Sequence, residues 1–376
     1  MPLKIGITCY PTYGGSGVIA TELGKRLAAL GHEIHFVSSA LPFRLDRFHE
    51  RIFFHEVDMV AYPLFQYPPY DLALAAKMME VALSAHLDLY HVHYALPHAV
   101  SAFLAKSMIE NSKIKIITTL HGTDITLIGA DKAYLPITRF GIQKSDGVTA
   151  VSKFLADLTQ ERVKRKDVEV IPNFVDTTYF RKLPNHACAK QSLSPQGEPV
   201  LLHISNFRPV KRIMDVIAIF ERVLAKMPAR LVFAGDGPER AGAEKYCRDK
   251  KITDQVLFLG RQDDVPELLC GADVLLLPSA LESFGLVALE AMSCEVPVVA
   301  TRVGGLPEVI THGETGFLGE LGNIDEMAGY VLQIVSDKAM RDRLGKAGRQ
   351  RAVQLFDIEA IVPQYEKFYE RILAIP

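Results

Sequence analysis

Short apolar runs of β character alternate with helix-period stripes along nearly the whole of this 376-residue chain. That pattern leaves few folds open. Each helix must carry the chain back to start the next strand, so the strands lie parallel and the helices cover both sheet faces. Residues 4–9 read as the first strand, and residues 18–30 as a helix with Ile19, Leu23 and Leu27 on one stripe. Further strands are predicted at 33–38, 87–92, 114–119, 147–150 and 168–171. The stretch 173–199, which follows Pro172 and contains Pro184, Pro195 and Pro199, loses the rhythm and reads as a connection. The alternation restarts at 200–204. Ile213, Val216, Ile217, Phe220, Val223 and Leu224 then make a helical stripe, and strands follow at 230–234, 255–259, 273–277 and 296–300. In the tail, Ile358, Ile361, Val362, Tyr365, Phe368, Tyr369 and Ile372 share one helical face, with Pro363 predicted to kink or restart the helix. The expected layout is a Rossmann-like domain over 1–172 and a second over 200–356, with the cleft between them as the default binding site.

The composition excludes several classes. Apolar content of 49% with 23% charged residues describes a globular chain with a sizeable core. A net charge of −2 gives no global pull toward nucleic acid. Cys9, Cys188, Cys247, Cys270 and Cys294 are scattered without a CxxC pair, which predicts free thiols and neither a disulfide frame nor a zinc site. Pro11, Gly14, Gly15 and Gly17 interrupt the uncharged stretch near the N-terminus, so it does not read as a signal sequence. No run reaches the ~18 apolar residues that a membrane span needs. A cytoplasmic chain without stable membrane association is predicted.

The most chemically pointed stretch is ESFGLVALE, 282–290, directly after the apolar strand ADVLLLPS, 272–279. A strand, a glycine turn at Gly285 and a helix N-terminus make an anion site, because unpaired amides and the helix dipole face the ligand. Glu282 before the turn and Glu290 two turns inside can take hydroxyls on either side of that anion. Phosphate flanked by sugars describes a nucleotide-sugar. A glycosidase acid/base pair fits less well, because eight residues at ~1.5 Å rise lie ~12 Å apart in a continuous helix, against ~5–9.5 Å in hydrolases. An ordinary surface helix with two solvated glutamates is the plain alternative.

SNFRPVKR, 205–212, follows the first strand of the second half. Arg208, Lys211 and Arg212 sit where open α/β sheets bind ligands, and cations at a helix start oppose its dipole unless an anion joins them. They suit a diphosphate and its charge on departure. Residues 235–239, GDGPE, read as turn chemistry with Pro238 in the first turn of a helix. Gly260 and Arg261 end the next strand and can offer groups to a base. Gly304 and Gly305 mark another close approach.

Near the N-terminus, YPTYGGSG, 10–17, joins the first strand to the first helix. Gly14, Gly15 and Gly17 permit positive φ and close backbone approach, and Ser16 adds a hydroxyl at the helix start. The spacing is not GxGxxG, no acid ends the second strand and no Walker lysine is present, so a dinucleotide site is disfavoured. Such a loop alone is equally a tight turn. His91, His93 and His98 invite a metal reading, but no carboxylate or cysteine completes a site, so they read as packing or substrate-lining groups. His121, in LHGTD at 120–124, follows a strand and reads as a polar substrate contact. No Asp-x-Asp occurs, so a metal clamp on a diphosphate is not indicated. The basic run 162–166 reads as a solvated helix end.

Taken together, these residues resemble the retaining glycosyltransferases of family 4, whose α/β GT-B architecture sets two Rossmann-like domains with parallel sheets facing across a cleft. ESFGLVALE looks like the family's E-x7-E motif, SNFRPVKR its basic donor-phosphate motif, and YPTYGGSG its glycine loop. The resemblance covers essentially the whole chain, and the helix at about 357–376 looks like the one that returns to the first domain. Residues 10–39, HVHYALPHA at 91–99 and TTLHGTDIT at 118–126 are similar, more narrowly, to the branch that transfers N-acetylglucosamine from UDP-GlcNAc to the hydroxyl of L-malate at the start of bacillithiol biosynthesis.

The resemblance implies that Glu290 holds the ribose hydroxyls and Glu282 the donor sugar. Ser283, Phe284, Gly285 and Leu286 line the donor, with Phe284 to Leu286 presenting amides. Lys211 and Arg208 neutralise the diphosphate, Arg261 lies beside the uracil, and Gly15 approaches the phosphate from the other domain. His121 contacts the sugar. Ser16, Tyr94, Thr118 and Asn206 form the malate pocket, Asn206 also serving the donor. UDP-GlcNAc and L-malate are substrates, no metal cofactor is implied, and a homo-oligomer remains open. An inositol-phosphate, sugar or lipid acceptor would keep the fold. A nucleotide-sugar sensor without turnover is a different class, though it would be free to lose some of Glu282, Glu290, Arg208 and Lys211.

Overall fold

The computed structural model describes residues 2–12, 14–45, 48–59, 67–184 and 186–375. Two compact units divide the chain: Met1–Asn173 with Ile358–Pro376, and Phe174–Asp357.

Among the described residues, the first unit holds a seven-stranded sheet. Its strands are β1 (Lys4–Thr8), β2 (Glu33–Ser38), β3 (Ile52–Glu56), β4 (Leu89–His93), β5 (Lys115–Leu120), β6 (Gly147–Ala150) and β7 (Val168–Val170). Their order is β3-β2-β1-β4-β5-β6-β7, and every neighbouring pair is parallel. Among the described residues, the second unit holds six parallel strands: β8 (Val200–Ile204), β9 (Arg230–Ala234), β10 (Val256–Phe258), β11 (Val274–Leu277), β12 (Val298–Thr301) and β13 (Gly316–Gly319). Their order is β10-β9-β8-β11-β12-β13. In each sheet the winding direction reverses once, between β1 and β4 and between β8 and β11. Loops at the carboxyl ends of those strands diverge there and leave a crevice for ligand.

Hydrophobic burial drives each layer. Ile213, Val216, Ile217, Phe220 and Val223 on the helix Ile213–Leu224 are fully buried against the second sheet. At about 1.5–3 kcal/mol per large side chain, that stripe alone holds the helix in place.

Two strands escaped the sequence reading. β3 lies on a sheet edge with Phe53 exposed, so its apolar signal is diluted. β13 is only GFLG, short and bounded by glycines. The stretch read as a connection belongs to the second unit from Phe174 onward. Pro184 and Pro195 bracket a helix, His186–Leu193, on which Lys190 meets Asp273 at 2.7 Å. Arg349 donates to the carbonyls of Thr177, Phe180 and Ser293, tying this stretch to the unit's body. The helix Ile358–Leu373 runs through Pro363, and the break falls at Asp357 instead. Pro363 lies in the second turn, where it removes only one backbone bond. The basic run is less solvated than expected: Arg162 donates to Ile125 O at 2.7 Å, and Arg165 to Ile142 O and Ser145 O at 2.6 and 2.7 Å. Among the described residues no helix is long and apolar enough to cross a membrane.

Candidate functional site

In the second unit, the predicted donor residues gather beyond β8 and β11. The basic loop forms a single short turn, Pro209–Lys211, and Arg212 takes a left-handed conformation to start the next helix. Arg212 pairs through Nε with Asp215 at 2.5 Å. Arg208 and Asn206 are exposed. Lys211 Nζ lies 2.5 Å from Glu282 Oε1, which also accepts from Ser279 Oγ at 2.8 Å. Ala280 N donates to Val210 O at 2.8 Å, so the two loops are stitched main chain to main chain.

The turn at 282–285 is held from behind. A Cβ on Gly304 would lie 1.9 Å from Glu282 O, and Gly305 N donates to that same oxygen at 2.9 Å. The Gly-Gly pair of that loop is therefore a clamp on Glu282. Gly285 has φ +95° and caps the helix Leu286–Ser293, as a glycine turn requires. Phe284 is buried with its ring edge-on to Phe356, which leaves its backbone, not its ring, for a ligand. Ser283 and Leu286 are half-buried, Glu290 is buried one helical stretch further in, and Arg261 is exposed after β10. The helix has no acid in its first turn, so none of its own first-turn side chains competes for the open amides. Pro238 precedes the helix Arg240–Asp249 and is not part of its first turn.

Sequence reasoning missed the support beneath this site. His203 on β8 is fully buried and neutral, its pKa pushed down to about 4, first by burial. It donates from Nδ1 to Leu276 O at 2.8 Å and accepts from Ser205 Oγ, which in turn accepts from Phe207 N. That chain orients the start of the basic loop. The signal was a histidine inside an otherwise apolar strand, VLLHI, where a polar group must find partners.

In the first unit, the candidates lie beyond β1, β4 and β5. The helix Gly15–Ala29 opens with no side-chain cap and no acid in its first turn. Gly15 is exposed and Ser16 half-buried. The three glycines do not use positive φ: Gly14 has φ −82°, and Gly15 and Gly17 are also absent from the left-handed region. Close approach is used at Gly17, where a Cβ would stand 2.7 Å from Tyr10 O. Tyr13 lies outside the described residues.

Tyr94 sits at φ +90°, a strained setting for a bulky residue, and its N–H donates to Thr119 O at 3.0 Å. Its ring lies 5.3 Å from both Tyr10 and His121. Tyr10 donates to Leu96 O at 3.2 Å, and burial pushes its phenol up to about 12. His121 is half-buried, and burial holds it neutral with a pKa near 3. Asp124 is buried, its pKa raised to about 6 by burial against the pull of backbone N–H groups, Gly122 N among them at 2.9 Å.

Thr118 lies deeper than the other acceptor candidates. It is fully buried, and its hydroxyl meets Ser145 Oγ at 2.7 Å. The strand's alternation sends Thr118 to one face and Thr119 to the other, where Thr119 meets His91 and Thr149, both at 2.7 Å. His91, His93 and His98 are all fully buried, and no set of three or more metal-ligating side chains forms among the described residues.

Comparison with known proteins shows the family and the fold. Residues 13–179 match the family model Glycosyltransferase Family 4, and residues 187–351 match Glycosyl transferases group 1. An N-acetyl-alpha-D-glucosaminyl L-malate synthase from Bacillus anthracis is 51% identical over 374 residues, covering 99% of this chain and 98% of that protein. Among solved structures, Anabaena Alr3699/HepE in complex with UDP and glucose superposes with a TM-score of 0.83 at 22% identity, covering 98% of this chain and 99% of that one. Sucrose-phosphate synthase from Thermosynechococcus elongatus gives 0.81 at 24% identity over the full length of both chains. Two parallel sheets, two matched family models and a relative identical at half its positions end to end place this chain in family 4 of the GT-B glycosyltransferases.

Proposed function

We propose that this chain is a retaining glycosyltransferase that moves N-acetylglucosamine from UDP-GlcNAc to the hydroxyl of L-malate, the first step of bacillithiol biosynthesis. The observation that carries this reading is the Bacillus anthracis relative named for that product, aligned over 99% of the chain. The donor residues agree with it. Open amides after Gly285 suit a diphosphate, and Glu282 and Glu290 suit sugar and ribose hydroxyls. Lys211 pairs with the Glu282 carboxylate. A donor diphosphate competes for that cation, so binding and charge redistribution are coupled. Arg208 is exposed and adds a second charge.

In the proposed step the malate hydroxyl oxygen bonds to the sugar's anomeric carbon on the face from which UDP departs. The bond from that carbon to the β-phosphate oxygen breaks, and the departing phosphate takes the hydroxyl proton. No protein nucleophile enters, and catalysis is positioning plus charge stabilisation by Lys211, Arg208 and the amides. Ser16, Tyr94 and Asn206 are the proposed malate contacts, and His121 a sugar contact. With no Asp-x-Asp in the sequence, the cations take the place of a metal.

The test is incubation with UDP-GlcNAc and a panel of hydroxy acids, inositol phosphates, sugars and lipids. UDP release, product mass and the NMR coupling at the anomeric proton are read. An α-linked malate glycoside is expected. A product formed only with another acceptor overturns the malate assignment, and a complete lack of turnover overturns the enzyme in favour of a sensor.

A further inference from the structure

The histidines of β4 do more than fill space. His93 is fully buried, and its Nδ1 lies 2.8 Å from His121 Nε2. The ring centroids are 5.1 Å apart with planes only 23° off parallel. With the nitrogens so much closer than the centroids, the rings lie side by side, and the shared hydrogen points along a lone pair. His91 packs behind at 4.5 Å and is itself fixed, its Nδ1 on Tyr369 Oη and its Nε2 on Thr119 Oγ1, both at 2.7 Å. His93 therefore has little freedom to turn away.

Burial keeps both bridging rings neutral at ordinary pH. One proton therefore occupies the bridge, and two tautomeric arrangements compete. If His93 carries its proton on Nε2, that N–H is buried without an acceptor, because Nε2 has no partner. If the proton is on Nδ1, a bare lone pair is buried instead. Orphaned donors are the rarer and costlier of the two. A neighbour shows which the core accepts. His98 Nδ1 meets the carbonyl of His93, so it must be the protonated nitrogen, and His98 Nε2 is left as a bare, unpartnered lone pair.

We infer that His93 is a positioning residue: its Nδ1–H donates to His121 Nε2 and fixes His121 as the Nδ1–H tautomer. His121 then presents a hydrogen-bond donor, not an acceptor, to whatever it faces. Among the described residues no side chain or carbonyl takes that Nδ1 hydrogen. A donor there suits an oxygen without a hydrogen, such as a phosphate or carboxylate oxygen, or the lone pair of a sugar hydroxyl. It does not suit removal of a proton from the acceptor. This rests on the proposed sugar contact of His121 for its meaning in turnover, while the tautomer itself does not depend on substrate.

The decisive experiment is long-range nitrogen–proton NMR on histidine-labelled full-length protein without substrate, with His121 assigned by its loss in His121→Asn. His121 is expected to show a protonated Nδ1 and a bare Nε2, and the opposite pattern overturns the inference. His93→Asn places an amide N–H near the lost Nδ1–H, and His93→Leu removes the donor while keeping the bulk. In the Asn variant the tautomer is expected to persist and kcat to stay within about threefold. In the Leu variant the two tautomers are expected to mix and kcat to fall about tenfold, with thermal melting confirming that it is folded. Equal losses in both variants, with the tautomer unchanged, overturn the positioning role. If the wild type shows the expected tautomer but no transfer to malate, the functional assignment fails and this one stands.

Discussion

Lys211→Ala removes the cation that sits 2.5 Å from Glu282. The two side chains are 21% and 12% exposed, so the pair lies between the surface and the core. Losing one partner of an exposed pair costs ~0–1 kcal/mol, and of a buried one ~3–5 kcal/mol. Glu282 keeps the Ser279 hydroxyl at 2.8 Å, which softens the loss. We therefore expect ~1–2 kcal/mol of destabilisation, read as a melting point lower by a few degrees. The effect on rate has a different origin. A charge-assisted contact to the departing diphosphate is worth ~1.5–3 kcal/mol, which predicts a ~10- to 150-fold drop in kcat/KM. UDP release measured at saturating malate gives the rate, and differential scanning fluorimetry gives the stability. The double variant Lys211→Ala with Glu282→Gln separates the two roles. If Lys211 only neutralises Glu282, the double variant turns over as fast as Glu282→Gln alone. The double variant is expected to regain stability but stay at least tenfold slower than Glu282→Gln. A single variant within threefold of the wild type, or a double variant matching Glu282→Gln, refutes the role of Lys211 at the diphosphate.

Gly285→Ala forces a side chain into φ +95° and sets its Cβ 2.5 Å from Leu306, at a cost of ~1–3 kcal/mol; an unchanged melting point and unchanged KM for UDP-GlcNAc would contradict it. Acid should destabilise the fold. His91, His98 and His203 are fully buried with pKa values near 3, 4 and 4, below the unfolded ~6.5. Below pH ~6.5 the unfolded chain binds protons that the folded chain refuses, so stability present at neutral pH falls as pH drops toward 4. Asp124, raised to about 6, works in the opposite sense, its small penalty growing as pH rises from ~3.9 through 6, but it is one group against three. Melting curves between pH 7.5 and 4 test this, and a flat profile would refute it. Transfer activity is expected to persist in excess chelator, and loss restored by a divalent ion would overturn the proposal that Lys211 and Arg208 serve in a metal's place.

The strands and helices were mostly legible because their signal is local. A buried parallel strand is a continuous apolar run, and a covering helix repeats its stripe about every 3.6 residues. Where burial is partial, as at the edge strand β3, or the strand is four residues bounded by glycines, as at β13, the local signal fades. The helix at His186–Leu193 was hidden by prolines that stand at its two ends and leave its interior intact. The strand–turn–helix at Gly285 was legible for the same local reason: a glycine must turn the chain, and a helix must start after it.

Partnership was not legible. That Glu282 meets Lys211 follows from β8 lying beside β11, neighbours in the sheet although β9 and β10 intervene in sequence. Thr118 and Thr119 look alike in sequence, but the pleat sends one to Ser145 and the other to His91. A strand's composition says that it will be buried. Only the order in which strands assemble says what each side chain will touch, because those neighbours come from distant parts of the chain.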